Sequence, residues 1–296
     1  MELNLESAAS FMAGHARILD RHRFAALAAD RGDSAEILSA LDAYRNPDGG
    51  YGWGLEPDLR SAGSQPGAAL HAFEAWAEVP AVPSPHSLEL CDWLASITLP
   101  DGGLPFALPI ADPAGCSPWW VAADPSVSSF QITAAVLANA HKVAKNDPAV
   151  AGHAWLRRAT AYCLDAAASM TGTPSAYELC FGLKAVDAIV DTRPDALPAL
   201  QRLARHLPAS ATMRVEGGTA EEALHPLDFS PEPHRPIRDL IAPDVIEADL
   251  NRLAGLQQPD GGWPVDFASA SPAAALEWRG HMTVGAVALL RANGPC

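Results

Sequence analysis

Apolar residues recur at helical spacing along most of the chain. The spacing predicts helices over 64–78, 86–97, 126–143, 151–170, 174–190, 194–206, 243–257 and 276–292, and another over 34–45. No convincing alternation of apolar and polar residues marks a half-buried strand. Two helix types separate by pattern. Segments 64–78, 127–141, 174–190 and 276–292 are rich in small residues and apolar on most faces. Segments 34–45, 86–97, 151–168 and 243–257 carry Arg, Asp and Glu along one face. A helix that is apolar nearly all round belongs inside, and one with a charged face outside. The expected fold is therefore all-α: a single domain over 1–296, an α/α toroid of five to six inner and outer helix pairs. Region 207–242 holds Pro226, Pro231, Pro233 and Pro236, so it is not one continuous helix. It reads as a lid on the toroid mouth or as a filler for one helix pair.

An internal repeat supports this frame. The segments Pro47-Asp48-Gly49-Gly50-Tyr51, Pro100-Asp101-Gly102-Gly103-Leu104 and Pro259-Asp260-Gly261-Gly262-Trp263 each close a helix and lead into an apolar residue. The first two lie 53 residues apart and the third follows after three times that spacing, which leaves room for two degenerate copies. Proline stops the helix, aspartate accepts turn hydrogen bonds, and glycine permits positive φ, so a structural turn accounts for the motif.

Composition narrows the function classes. A net charge of −15, with Lys142, Lys145 and Lys184 the only lysines, argues against a nucleic-acid surface. No apolar stretch is long enough for a membrane span. The opening Met-Glu-Leu-Asn-Leu-Glu-Ser lacks the basic and apolar regions of a signal peptide, so a cytoplasmic location is expected. Cys91, Cys116, Cys163, Cys180 and Cys296 fit no zinc spacing and read as free thiols.

The segment Leu253-Ala-Gly-Leu-Gln257-Gln-Pro-Asp260-Gly-Gly-Trp263 resembles the Gln-Trp repeat of squalene and terpenoid cyclases, and the matching repeats of protein prenyltransferase β-subunits. The stretch from Asp48 to Arg60, followed by Ser64-Gln65-Pro66, looks like that of bacterial single-toroid proteins described as prenyltransferase-like. The resemblance implies an α/α toroid around a central cavity, with acid-initiated chemistry on an isoprenoid-like substrate. The motifs that carry the family's chemistry are missing. The sequence contains no Asp-Asp pair, no Asp-rich magnesium motif and no Asp-x-Cys zinc pair. Neither a metal nor another cofactor is expected, and protein prenylation is not.

The remaining candidates are polar and aromatic residues near predicted inner helices. Glu56 and Asp58, in Glu56-Pro57-Asp58-Leu59-Arg60, would serve as general acids in an apolar cavity; alternatively Arg60 pairs with them and fixes the loop. Glu178, in an otherwise apolar helix, would accept a proton or would complement its helix dipole. His281, where the resemblance places a late inner-helix histidine, would act as a base or be a satisfied core residue. Trp53, Arg60, Gln65, Trp119, Trp120, Asp124, Gln131, Tyr177 and Trp278 would line the substrate site, the indoles stabilising cationic charge or packing against the rim. The leading expectation is a terpene-cyclase-like lyase or isomerase acting on a small apolar substrate. The alternatives are a non-catalytic binding or scaffold protein, and a carbohydrate-active α/α-toroid enzyme.

Overall fold

The computed structural model describes residues 3–29, 33–79 and 84–294; Cys296 lies outside them. The described chain is mostly helical. In order it forms α1 (Leu5–His15), α2 (Ile18–Ala29), α3 (Ser34–Asp42), α4 (Pro66–Glu78), α5 (Pro85–Ile97), α6 (Pro118–Val121) and α7 (Phe130–Ala144). It continues with α8 (Pro148–Gly152), α9 (Ala154–Ser169), α10 (Ala176–Val190), α11 (Leu197–Ala204), α12 (Pro226–Phe229), α13 (Pro243–Gly255) and α14 (Pro272–Asn293). Two antiparallel ladders of two residues accompany them: β1 (Leu104–Pro105) with β2 (Ser128–Ser129), and β3 (Met213–Arg214) with β4 (Ala223–Leu224). The chain forms two compact units, one comprising 1–40 and 207–296, the other 41–206.

In the 41–206 unit, α7 packs between α4 and α10, while α9 packs against α5, α7, α10 and α11. Small residues allow the close approach: Ala68, Ala69, Ala72 and Ala75 of α4, and Ala134, Ala135, Ala138 and Ala140 of α7, are all buried. The helix starts are set locally. Pro66 and Pro85 occupy first-turn positions, the Ser129 hydroxyl accepts from Ile132 N–H, and Ser175 and Glu178 form a reciprocal capping box. The segment expected from 126 turns helical only at Phe130, because Ser128 and Ser129 pair with Pro105 and Leu104 instead. The segment expected from 151 is interrupted at His153, whose side chain caps α9 by accepting from Trp155 N–H.

The three Asp-Gly-Gly turns adopt one geometry. The aspartate Oδ1 accepts from the N–H of the second glycine, at 3.0 Å for Asp48, 3.1 Å for Asp101 and 3.1 Å for Asp260. The same carboxylate binds a side chain of an Ala-rich helix or its entry: Ser64 Oγ at 2.7 Å, Ser128 Oγ at 2.6 Å, and the Arg279 guanidinium at 2.7 and 2.9 Å. The apolar residue that follows is fully buried each time, as Tyr51, Leu104 and Trp263. The second glycine leaves no room for a side chain. A Cβ on Gly103 would sit 2.6 Å from Ser128 Cβ and 2.7 Å from the Tyr162 ring. Gly103→Ala is therefore expected to destabilise the chain by ~1–3 kcal/mol or more through overpacking, read as a lower denaturant midpoint at unchanged slope.

A buried histidine also shapes the pH response of this unit. His141 of α7 lies 3.0 Å from Thr160 Oγ1 of α9, and burial holds its pKa down at about 4. The unfolded chain binds that proton near 6.5, the folded chain only near 4. Stability should fall by about 3 kcal/mol as pH drops from 6.5 to 4, then level off for this residue. Urea melts across that window should show the loss, and His141→Gln should remove most of the slope.

In the other unit, α1 and α2 pack against each other and against α14, and α13 packs against α12 and α14. Neither α1 nor α2 falls in a segment that the periodicity marks as helical. The first and last parts of the chain meet here. Gln257 Oε1 accepts from Asn4 N–H at 3.1 Å, and its Nε2 donates to Asn4 O at 2.9 Å. Residues 207–242 form the β3–β4 ladder, α12 and a single 3-10 turn over Arg238–Leu240. Asp249 Oδ2 of α13 ties α12 down by accepting from Leu227 N–H at 2.8 Å. Among the described residues, no helix is long and apolar enough to cross a membrane.

Candidate functional site

The site is built on the loop between the first Asp-Gly-Gly turn and α4. The ends of this loop touch: a Cβ on Gly52 would lie 2.4 Å from Gly63 O, so only glycine closes it. Trp53 N–H donates to Ser61 O at 2.8 Å just inside the closure. The result is a compact Ω-type loop from Gly52 to Gly63. Leu55 and Leu59 anchor it in the core, and Glu56 and Asp58 are carried inward with them, 5% and 2% exposed. A second loop braces it, through a Leu59–Cys116 bridge and Ser117 N–H donating to Asp58 O at 2.8 Å. Arg60 packs over Gly54 and Gly115.

A buried carboxylate needs a partner, and Glu56 has one on α4. Its Oε2 lies 2.9 Å from His71 Nε2, while its Oε1 accepts from Asp58 N–H at 3.1 Å. His71 Nδ1 lies 2.7 Å from Glu74 Oε2, one helical turn further along α4. Both imidazole nitrogens thus face carboxylates, an arrangement that suits the doubly protonated ring. Burial alone would drive that proton off. The Glu74 charge and the bonds to both carboxylates outweigh it and raise the His71 pKa to about 9. At neutral pH His71 is therefore an imidazolium held between two carboxyl groups. Glu56 is the enclosed end of this chain of three residues, and Glu74, with a quarter of its side chain exposed, the open end.

The other candidates of the 41–206 unit are spread more widely within it. Gln65 is buried and clamps the Leu108 backbone, its Oε1 accepting from Leu108 N–H at 2.8 Å and its Nε2 donating to Leu108 O at 3.2 Å. Trp53 is 58% exposed, with its indole N–H donated to Asn46 Oδ1 at 2.8 Å. Trp119 is also exposed, whereas Trp120 is buried and stacks on Phe106 at 4.5 Å between ring centres. Asp124 is exposed and accepts from Ser126 N–H and Oγ–H. Gln131 is half-buried in the first turn of α7, and half-buried Tyr177 stacks on Phe181. The Glu178 carboxylate accepts from Ser175 N–H at 2.9 Å and so closes its own helix cap.

Trp278 and His281 belong to α14, in the other unit. Their rings meet edge to face at 5.4 Å, and His281 Nδ1 lies 3.2 Å from Arg23 Nη1. Arg23 also reaches the fully buried Asp20 at 3.1 Å, and Arg17 Nε binds the other Asp20 oxygen at 2.7 Å.

Sequence reasoning singled out Glu56 and missed its α4 partner His71 and, beyond it, Glu74. The available signal was His71-x-x-Glu74, two ionisable residues one turn apart in an Ala-rich helix. No family model and no curated protein matches the chain.

Proposed function

We propose that the chain is an α/α toroid enzyme that isomerises or cyclises a small, neutral, isoprenoid-like alkene by proton transfer from Glu56. The buried Glu56–His71–Glu74 chain is the observation that carries this reading. The toroid part is supported by the shared geometry of the three Asp-Gly-Gly turns, by the row α4–α7–α10 backed by α5, α9 and α11, and by the contact between Asn4 and Gln257.

Once Glu56 has taken up a proton, giving it up again beside the His71 imidazolium restores an ion pair. That gain favours transfer to an alkene carbon. The carboxylate left behind faces the resulting carbocation and takes a proton from the neighbouring carbon, so the double bond moves and Glu56 is restored. Cyclisation follows if a second double bond in the substrate traps the cation before that proton leaves. Glu74 holds the positive charge on His71 through the cycle and connects the buried acid to its outer, partly exposed end. Glu178 is committed to its capping box, so the returning proton is assigned to Glu56.

The test is incubation of the purified chain in D2O with alkene, epoxide and diphosphate isoprenoids. Deuterium incorporated beside the double bond, and lost with Glu56→Gln, is the expected result. Absence of turnover and exchange across the panel, or full activity in Glu56→Gln, overturns it. A non-catalytic binding protein is the second reading, favoured by the commitment of Gln65 and Glu178 to backbone bonds. It predicts an unaltered apolar ligand in native mass spectra.

A further inference from the structure

We infer that residues 106–117 form a movable strap that opens to give small molecules access to Glu56, with Gln65 as its latch. This rests on the reading of Glu56 as the reacting acid. Glu56 is 5% and His71 6% exposed, so a neighbouring segment has to move before a substrate touches either. The strap lies on the loop that carries Glu56. Ser117 N–H donates to Asp58 O at 2.8 Å, and Asp58 N–H donates in turn to Glu56 Oε1 at 3.1 Å. Cys116 bridges Leu59 beside them. The ends of the strap meet at its base, where Phe106 stacks on Trp120 at 4.5 Å between ring centres. The Trp120 ring covers Gly67, where a Cβ would lie 3.0 Å from Trp120 Cη2. Gly67 precedes His71 by four residues, so this base stands one helical turn from the imidazolium on the same face of α4.

The strap is held by few bonds. Its residues join no helix and, beyond the single Leu59–Cys116 bridge, no ladder. Pro109 and Pro113 have no N–H to donate. Pro109 and the run from Ala111 to Ala114 are exposed, so outward movement breaks no packing on that side. At the Leu108 end the fastening is the buried Gln65 side chain, through its bonds of 2.8 and 3.2 Å to both backbone groups of Leu108. At the Cys116 end, Gly115 at φ 73° supplies a flexible point. Closure also carries a cost. Trp120 is 8% exposed, and its Nε1 is buried with no acceptor among the described residues. An unsatisfied donor favours any arrangement that lets water reach it. Solvent on one side, few backbone bonds and an unsatisfied base place the strap at the low-stability end of local opening.

The experiment reads opening and access separately on the full-length chain. Hydrogen exchange of the 106–117 peptide, followed by mass spectrometry, reads opening. Coupling of glycinamide by a water-soluble carbodiimide in mildly acidic buffer reads access to Glu56, with the partly exposed Glu74 as internal reference. Both are run on wild type, Gln65→Ala, Gly115→Ala and the exposed control Ala111→Ser. Gln65→Ala removes two hydrogen bonds and should raise strap exchange and Glu56 coupling together by roughly tenfold, while α7 keeps its protection. Gly115→Ala should act in the same direction, because its Cβ would meet Arg60 Cδ at 3.0 Å on a left-handed backbone. Ala111→Ser should match wild type. Glu56 coupling at the wild-type rate in both Gln65→Ala and Gly115→Ala overturns the inference, whether or not the strap exchanges faster. So does loss of α7 protection in step with the strap, since the opening is then global unfolding. Strap-dependent coupling in a chain that turns over no alkene would sink the proposed reaction and leave the strap standing. Alkene turnover with kcat and KM unchanged in Gln65→Ala would do the reverse.

Discussion

Replacing His71 by glutamine is expected to slow proton transfer by ~10²–10⁴-fold, the usual contribution of a positioned acid–base group. Glutamine keeps a hydrogen-bond donor near Glu56 but carries no charge, so it supplies no ion pair when Glu56 gives up a proton. The loss should appear in kcat more than in KM, because His71 is buried behind Glu56. The same variant has a second readout that needs no substrate. The folded chain holds the His71 proton up to about pH 9, whereas the unfolded chain releases it near 6.5. The stabilisation from this proton is complete below 6.5 and is lost as pH rises through 9. Its size is about 3 kcal/mol. Wild-type stability should therefore decline along the alkaline arm, and His71→Gln should lack most of that decline. A wild-type chain equally stable at pH 6.5 and 9 would contradict the imidazolium assignment, whatever the substrate is.

The helical frame was legible because small-residue and charged-face helices write distinct patterns, and because Pro-Asp-Gly-Gly has a local physical meaning at each copy. What the sequence hid is buried charge. His71 and Glu74 sit in a run of alanines, where hydropathy alone reads a core helix with two tolerated polar positions. Their significance comes from Glu56, fifteen residues away on a loop whose inward path depends on closure at Gly52 and Gly63. The N-terminal pair α1 and α2 was missed for the same reason. Asp20-Arg21-His22-Arg23 looks like a solvated run, yet Asp20 and Arg23 are buried while Arg21 is exposed, so charge lies on both sides of α2 and blurs the amphipathic signal. Adjacent tryptophans were equally ambiguous. The one-turn helix α6 sends Trp120 into the core and Trp119 into solvent, a division that composition does not encode.

Asp20 carries the largest stability effect expected from a single substitution. It is fully buried in α2, and burial by itself would favour its neutral form. The charges of Arg17 and Arg23, and the Arg17 hydrogen bond, overcome that penalty and hold its carboxyl below the ordinary range. Asp20→Asn preserves the shape but removes the charge that both guanidiniums share, at bonds of 2.7 and 3.1 Å. Breaking a buried pair from one side costs ~3–5 kcal/mol, because the opposing charge stays behind. The environment leaves little scope for repair. α2 meets α14 at Gly280, where a Cβ would already lie 2.9 Å from Ala16 Cβ and 3.7 Å from Asp20 Oδ2. Denaturant melts at pH 7 should show the loss. Because the native carboxyl titrates below the unfolded one, the difference between wild type and Asp20→Asn should shrink as pH falls through the native value. Pairing Asp20→Leu with Arg23→Met should recover part of the loss, since a volume-matched apolar pair carries no desolvation penalty. If Asp20→Asn alone melts like wild type, the two arginines draw their stability from elsewhere, and the ion pairs around Asp20 do not hold α2 in place.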